Sequence, residues 1–253
     1  MPGWTDGPPD PAAMSACAAA TFSDGYTMLL NFITGAGTAS RDTAISHAVI
    51  AGWTGRDREA MEKHIAELEA LGVPRPAATP MYYRVAASRL TTRDRIEVCG
   101  TDSSGEVEFV MLRAGGRLWV GIGSDHTDRK VETMGVAISK QLCEKPVGAD
   151  WWLFDDVAAH WDRLLLRAFI EEDGRRVPYQ DGPVTAMRHP LELIAGYADG
   201  GGALPEGGAM FCGTLPAHGG IRHSARFDFE LHDPVLDRTL RHGYLAESLP
   251  VAG

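Results

Sequence analysis

Residues 105–125 read GEVEFVMLRAGGRLWVGIGSD. Two short apolar runs, Glu106–Leu112 and Leu118–Ser124, flank a turn at Ala114-Gly115-Gly116. Short runs of this kind on either side of a glycine turn are typical of an antiparallel hairpin. The sequence therefore predicts two adjacent strands at the centre of the chain.

Three carboxylates are attached to this hairpin. Glu106 and Glu108 are two positions apart, so a strand turns both to one face with stems about 7 Å apart. Asp125 follows the second strand and can lie beside that pair. Oxygen ligands without Cys or paired His suit Mg²⁺ or Mn²⁺ better than zinc. The alternative is a solvated strand face, with Asp125 serving only as a turn residue.

The rest of the chain also favours short strands. Other strand candidates are Tyr26–Phe32, Ser46–Trp53, Arg95–Cys99, Leu164–Glu171, Arg175–Gln180 and Arg226–Leu231. A helix is predicted after Asp57, because Met61, Ile65, Leu68 and Leu71 have helical spacing and Gly72 and Pro74 follow. Shorter helices are predicted at Phe154–Trp161 and Pro190–Tyr197. The sum is a β-rich α+β protein with few helices.

Three regions are predicted from composition shifts. Residues 1–20 are a flexible extension rich in proline and alanine, and residues 21–80 are a small N-terminal part that contains the helix. A proline-rich connector, PRPAATPMYY, leads into a β-rich body at residues 81–253. TGAGTASRD, at residues 34–42, is expected to be a turn-rich link.

Composition excludes several classes of protein. The 253 residues are 44% hydrophobic and 23% charged, which is ordinary for a globular chain and rules out disorder throughout. A formal net charge of −10 argues against nucleic acid and anionic membrane surfaces as partners. No apolar run approaches the roughly 18 residues of a membrane span. Four cysteines without a C-x-x-C pair suggest reduced thiols in a cytoplasmic protein.

Two further features are candidates for chemistry. His64 and Glu67 are neighbours on one helix face, and a carboxylate beside an imidazole suits a general base that acts on water. The alternative is that His64 only packs and Glu67 pairs with Lys63. Lys140 follows an apolar run, where it can either be solvated or stabilise a substrate carboxylate or enolate.

In this order, these elements resemble the fumarylacetoacetate hydrolase superfamily, and most of all an uncharacterised branch known as a domain of unknown function. The resemblance includes the H-x-x-E of His64-Ile-Ala-Glu67, the E-x-E of Glu106 and Glu108, and the strand ending at Asp125. It continues through Lys140 with Pro146 and Gly148, and through a hairpin at Asp173-Gly174 followed by Gln180. It ends at Cys212-Gly-Thr-Leu-Pro216, near a T-G-T-P pattern.

The resemblance implies a fumarylacetoacetate hydrolase-like β-roll or sandwich with a few short helices. It implies that Glu106, Glu108 and Asp125 hold Mg²⁺ or Mn²⁺, that His64 and Glu67 activate water, and that Lys140 stabilises an enolate. Arg129 and Thr214 are the expected substrate contacts. A small 2-oxo acid or diketone is the expected partner, and a homodimer the expected assembly.

Departures from the family pattern surround this site. Ser124 replaces the usual asparagine, and His126-Thr127-Asp128-Arg129 stands where an R-D-x-Q continuation is usual. Three functions therefore stay open. The first is hydrolysis of a carbon–carbon bond in an acylpyruvate-like substrate. The second is hydration, decarboxylation or tautomerisation through the same enolate, and the third is ligand binding without turnover.

Overall fold

Strands dominate the protein, as its short apolar runs between glycine-rich turns predict. The computed structural model describes residues 26–70, 75–197 and 199–252; at residues 64, 67, 68 and 70 only the backbone is described. Within these residues the β-rich α+β fold class is confirmed. The extension predicted at residues 1–20 lies outside them.

The strands are numbered in chain order, and several are only two residues long. They are β1 (Tyr26–Thr34), β2 (Gly37–Ile45), β3 (His47–Gly52), β4 (Met81–Val85), β5 (Leu90–Thr91), β6 (Arg95–Cys99), β7 (Ser103–Ser104), β8 (Val107–Ala114), β9 (Arg117–Ser124), β10 (Thr127–Asp128), β11 (Lys145–Pro146), β12 (Asp150–Leu153), β13 (Leu165–Glu172), β14 (Arg175–Pro183), β15 (Gly208–Phe211), β16 (Arg226–Asp233) and β17 (Arg238–Leu249).

The helices are short. They are α1 (Arg58–Ala70), α2 (Arg129–Glu132), α3 (Val136–Leu142), α4 (Asp155–Ala158) and α5 (Pro190–Gly196), with single 3₁₀ turns at 87–89, 161–163 and 184–186. Asp57 caps α1 as predicted, because its Oδ1 accepts the amides of Glu59 at 2.9 Å and Ala60 at 3.1 Å. None of the helices in the described residues is long and apolar enough to cross a membrane.

Two sheets form the body. The larger has the order β2-β1-β12-β9-β8-β15-β3-β4, and the smaller has the order β14-β13-β16-β17-β6. The predicted hairpin β8–β9 lies in the middle of the larger sheet. At the second predicted hairpin, Asp173 and Gly174 both have positive φ, as a tight primed turn requires. The larger sheet combines strands from residues 26–52 with strands of the predicted body. The division into two regions near residue 80 remains a prediction drawn from the sequence composition.

Several segments differ from the prediction, among them β12, an unpredicted strand between β1 and β9 in the larger sheet. Most of the predicted link at residues 34–42 is strand β2, and the end of the predicted connector is strand β4. Both lie at edges of the larger sheet, where one neighbour is enough. Weak strand formers are common in β2, whereas β4 contains Tyr82, Tyr83 and Val85, which favour strands, and was missed because it follows a proline-rich stretch. Strand β17 was also not predicted; it pairs with β16 and, in parallel, with the distant β6.

Strand β8 is buried on both faces, which explains its uninterrupted apolar run. Phe109 and Met111 belong to the core between the two sheets, and Val110 and Leu112 belong to a second core on the other face of the larger sheet. Each of these four side chains is fully buried. A strand buried on both faces has little freedom to slip, because a one-residue shift exchanges its two faces. The carboxylates at the start of β8 are therefore held in register.

Gly123 keeps space for the packing beside the hairpin end. It is paired directly with Glu108 across β8 and β9. A Cβ at this position would lie 2.6 Å from the ring of Phe211 and 2.9 Å from Val110. Glycine therefore lets β15 pack against the same face that carries Glu108.

A buried carboxylate at the end of β16 generates the first prediction. Asp233 accepts hydrogen bonds from the amides of Val235 (3.0 Å) and Leu236 (3.2 Å), and from His160 Nε2 (3.0 Å). Burial alone would raise the pKa of Asp233, but the His160 contact and the two amides lower it below its usual value. The carboxylate then stabilises the fold above pH 3.8, and that contribution is lost as pH falls through the lower folded-state pKa.

Asp233→Asn should therefore lower the free energy of unfolding at pH 7 by about 1.5–3 kcal/mol, the usual value of hydrogen bonds to a charged group. The deficit should shrink below pH 3.8. Urea unfolding at several pH values measures both, with the exposed Asp237→Asn as control. A deficit that does not change with pH would contradict the assignment.

Candidate metal centre

Three carboxylates meet where the hairpin strands end. Glu106 lies just before β8, Glu108 is the second residue of that strand, and Asp125 directly follows β9. One oxygen of each lies within 4.8 Å of the others. The amide of Asp125 donates to the carbonyl of Glu106 at 3.0 Å, which closes the hairpin at this end. The structure thus brings together the three residues that the sequence nominated, although Glu106 precedes the strand instead of lying in it.

The three carboxylates are largely buried, unlike the side chains of a solvated strand face. Asp125 is fully buried, Glu108 is 3% exposed, and the Glu106 side chain is 17% exposed. Three carboxylates are costly to bury unless cations or hydrogen-bond donors surround them.

Two lysines contact opposite oxygens of Asp125. Lys140 Nζ from helix α3 forms a short ion pair with Asp125 Oδ2 and lies 3.8 Å from Glu106 Oε2. Lys145 Nζ lies 3.1 Å from Asp125 Oδ1 and donates to the carbonyl of His126 at 2.6 Å. The structure therefore places the predicted Lys140 in the cluster and adds Lys145, which sequence reasoning missed.

Arg129 is the third cation. Its Nη2 lies 3.2 Å from Glu106 Oε1, its Nη1 lies 3.0 Å from Glu132 Oε2, and its Nε donates to Ser104 Oγ at 2.8 Å. The guanidinium that was predicted to contact substrate thus holds a candidate metal ligand in place.

The pKa values follow from these contacts. Burial alone would raise the pKa of Asp125, but Lys140 and Lys145 outweigh it and lower that pKa to about 2. Burial likewise opposes the charged form of Lys140, yet Asp125 and Glu106 raise its pKa above the usual value. Burial lowers the pKa of Lys145, and Asp125 only partly offsets this. Asp125 is therefore ionised at neutral pH.

Glu108 is the exception among the carboxylates. Burial and the nearby Asp125 raise its pKa well above the usual value, although Lys140 and the amide of Gly213 act in the opposite direction. Glu108 Oε2 accepts that amide at 2.6 Å. Gly213 has φ +97°, and a Cβ there would lie 1.8 Å from Thr54 Oγ1, so only glycine fits.

Thr214 and Gln180 brace the same strand. Thr214 Oγ1 donates to the carbonyl of Val107 at 2.7 Å and accepts from Gln180 Nε2 at 2.9 Å. Gln180 Oε1 accepts the amide of Val107 at 3.0 Å. The hydroxyl predicted to contact substrate is therefore engaged with the backbone beside the two glutamates.

His126 and Ser124 do not form a nucleophilic triad with Asp125. Both contact Tyr244 Oη, His126 through Nδ1 at 2.7 Å and Ser124 through Oγ at 2.9 Å. His126 Nε2 lies 2.9 Å from Ser103 Oγ. Burial lowers the pKa of His126 well below its usual value, so it is a neutral structural group.

The predicted water-activating pair lies on helix α1. The backbone of His64 and Glu67 is helical, as the spacing predicts. Their side chains lie outside the described part of the chain, so their role stays a prediction.

The donor set fits a hard divalent cation. All three candidate ligands are carboxylates, which suit Mg²⁺ or Mn²⁺. Asp125 Oδ1 has no hydrogen-bond donor apart from the ion-pair contact with Lys145, so this buried oxygen keeps unused acceptor capacity. The residues present therefore suit such an ion.

Comparison with known proteins identifies the family. Residues 51–244 match the family described as protein of unknown function (DUF2848), and the chain belongs to that family. The search of curated proteins found no match.

Solved structures show the wider fold. Cg1458 with an inhibitor has a TM-score of 0.60 and 18% identity, over 83% of this chain and 81% of that chain. Yeast ynq8, a fumarylacetoacetate hydrolase family protein, has a TM-score of 0.57 and 16% identity, over 82% of this chain and 95% of that chain. A 2-keto-3-deoxy-D-arabinonate dehydratase complexed with magnesium and 2,5-dioxopentanoate has a TM-score of 0.56 and 16% identity, over 84% of this chain and 77% of that chain. The fold resemblance drawn from the sequence is confirmed.

The raised pKa of Glu108 gives a prediction for the metal-free protein. A carboxyl whose folded-state pKa is raised stabilises the fold below its unfolded-state pKa, and this contribution is lost as pH rises through the folded-state value. Glu108→Gln removes the buried charge, so it should raise the free energy of unfolding at pH 8 by about 1 kcal/mol or more and change it little at pH 4.

Urea unfolding in the presence of a chelator measures this difference. The control is Glu97→Gln, on the exposed face of β6. If the free energy of unfolding changes with pH in the same way for the native protein and Glu108→Gln, the charged form of Glu108 does not destabilise the metal-free fold.

Proposed function

We propose that this protein is a divalent-metal-dependent enzyme that acts on a 2-oxo acid or 1,3-dicarbonyl compound and hydrolyses a carbon–carbon bond in it. The observation that carries the proposal is the buried cluster of Glu106, Glu108 and Asp125, with Lys140 in contact with Asp125 and close to Glu106. Likeness to fumarylacetoacetate hydrolase family structures supports it.

The three carboxylates are the proposed ligands of Mg²⁺ or Mn²⁺. When bound, such a cation supplies Lewis acidity toward adjacent carbonyl and carboxylate oxygens. Lys140 supplies a positive charge at the same place, because its ammonium reaches both Asp125 and Glu106. A cation held this way can stabilise the negative charge of an enolate leaving group.

Helix α1 is the proposed lid. His64, oriented by Glu67, is the proposed base that takes a proton from the attacking water. Closure of this helix over the substrate would exclude bulk water from the cluster. Arg129 and Thr214 remain the proposed substrate contacts, and each would have to exchange one of its present protein partners for substrate.

A lyase is the second candidate. One similar structure is a dehydratase complexed with magnesium, so the same fold carries a reaction that removes water. Hydration, decarboxylation and tautomerisation share the need for a stabilised enolate, so the same cluster would serve them. A ligand-binding protein without turnover is the third possibility. A homodimer in the cytoplasm stays the prediction for assembly and location.

Metal binding can be tested by thermal stability. Millimolar Mg²⁺ or Mn²⁺ should raise the Tm of the native protein, since a ligand at a hundredfold excess over its Kd adds about 2.7 kcal/mol of stability. Glu106→Ala should lose this response, because it removes one of three ligands. Glu97→Ala, a glutamate outside the cluster, should respond like the native protein. An undiminished response in Glu106→Ala would refute the ligand assignment.

Product analysis separates the candidate reactions. Incubation with a panel of 2-oxo acids and diketones should yield two carbon fragments if the protein is a hydrolase. Gain or loss of one water identifies a hydratase or dehydratase, and carbon dioxide identifies a decarboxylase. Intact metal binding without turnover of any compound would favour the ligand-binding alternative.

The lid base is tested on whichever substrate is turned over. His64→Ala should lower kcat by about 10²–10⁴-fold, the usual contribution of a general base, while the metal-induced rise in Tm persists. Glu59→Ala, on the same helix, is the matched control and should keep activity. Unchanged kcat in His64→Ala would remove this residue from the mechanism.

A further inference from the structure

We propose that Lys145 makes cation binding at this site depend on an anionic ligand and so selects 2-oxo acids over neutral dicarbonyl compounds. The inference rests on the proposed function, since it concerns the same three carboxylates. Asp125 contacts two lysines, one on each carboxylate oxygen.

The two lysines have different positions relative to the cluster. Lys140 Nζ reaches both Asp125 Oδ2 and Glu106 Oε2, so its ammonium lies among the oxygens that would hold a cation. A cation held by these oxygens would therefore compete with this ammonium, which lies at the end of a flexible side chain. Lys140 is an exchangeable counter-charge.

Lys145 is fixed. Its side chain is fully buried, and its Nζ is held at 3.1 Å from Asp125 Oδ1 and at 2.6 Å from the carbonyl of His126. Its backbone lies in β11, which pairs with β5 through Leu90. This ammonium would therefore stay in contact with Asp125 when a cation is held by the three carboxylates.

The charges around the site then need a further anion. The carboxylates of Glu106, Glu108 and Asp125 face the ammonium groups of Lys140 and Lys145 and the guanidinium of Arg129, whose charge is shared with Glu132. With Glu132 counted, four carboxylates face three cationic groups, so a divalent cation changes the formal net charge of this set from −1 to +1. Lys145 contacts one proposed ligand directly and repels the cation at short range in a buried site.

An anionic ligand restores the balance. A 2-oxo acid brings a carboxylate, and its enolate brings a second negative oxygen, whereas a 1,3-diketone enters uncharged. The cation and the anion should therefore strengthen each other's binding by the same factor. Removing the charge of Lys145 should strengthen binding of the cation alone and weaken this mutual effect.

The test is a titration of the full chain with Mn²⁺ at pH 7, in which binding is measured by calorimetry and by electron paramagnetic resonance. Oxalate is the probe, because its two adjacent carboxylates have the charge of a 2-oxo acid enolate. In the native protein, oxalate should lower the Kd for Mn²⁺ on the order of tenfold or more. In Lys145→Met, the Kd without oxalate should fall on the order of tenfold, and the effect of oxalate should shrink by a similar factor.

Lys130→Met is the matched control. Lys130 is an exposed lysine on α2, and its replacement changes the net charge equally. It should leave the Mn²⁺ affinity and the oxalate effect as in the native protein. A purely structural role of Lys145 predicts a lower Tm with unchanged or weaker Mn²⁺ binding, which is the opposite direction.

The inference is overturned if folded Lys145→Met binds Mn²⁺ no more tightly than Lys130→Met, or if oxalate does not tighten Mn²⁺ binding to the native protein. If Lys145→Met does not fold, Lys145→Gln is judged by the same criteria, because its amide can still donate to His126. Absence of Mn²⁺ binding to the native protein, with or without oxalate, refutes the proposed function itself.

Discussion

The contact of Asp125 with Lys140 and Lys145 is the interaction on which the site depends. A fully buried carboxylate is unfavourable by itself, and its two neighbouring glutamates add to that cost. Two ammonium groups, one on each oxygen, keep Asp125 ionised. Removing either would leave an under-compensated buried charge. Both lysines come from the segment that follows the hairpin, so this segment and the hairpin are mutually dependent.

The hairpin in turn depends on close packing around small residues. Strand β8 is buried on both faces, so its register is fixed by two cores at once. Gly123 gives space to Phe211, and Gly213 lets the backbone approach Glu108 closely enough to donate its amide. These glycines let apolar packing continue to the edge of a highly charged cluster. The cluster is consequently rigid on the side of the sheet, and the proposed movement belongs to helix α1 and the end of Lys140.

Local sequence patterns identified some residues of the site and missed others. Glu106, Glu108 and Asp125 were found from strand periodicity and a turn, because a hairpin joins residues that are near in sequence. Lys145 gave no such signal, since a lysine before proline usually indicates a surface turn, and its partner lies twenty residues away. Arg129 and Thr214 were nominated as substrate contacts, and both are engaged with the protein around the glutamates. Strand β2 was missed because its neighbour in the sheet supplies what its own propensity lacks, and β4 was missed because the prolines before it indicated a connector.

The sequence by itself determined the class of fold, the central hairpin and the three carboxylates beside its end. These follow from short apolar runs, turn residues and spacing, which act over a few residues of the chain. Only the tertiary structure decided that the carboxylates are buried, that two lysines and an arginine neutralise them, and that β17 joins β6. Those features depend on contacts between distant segments, and the charge state of a group depends on which distant groups surround it. A linear pattern specifies where a side chain points along its own strand, but it does not specify what the side chain meets there.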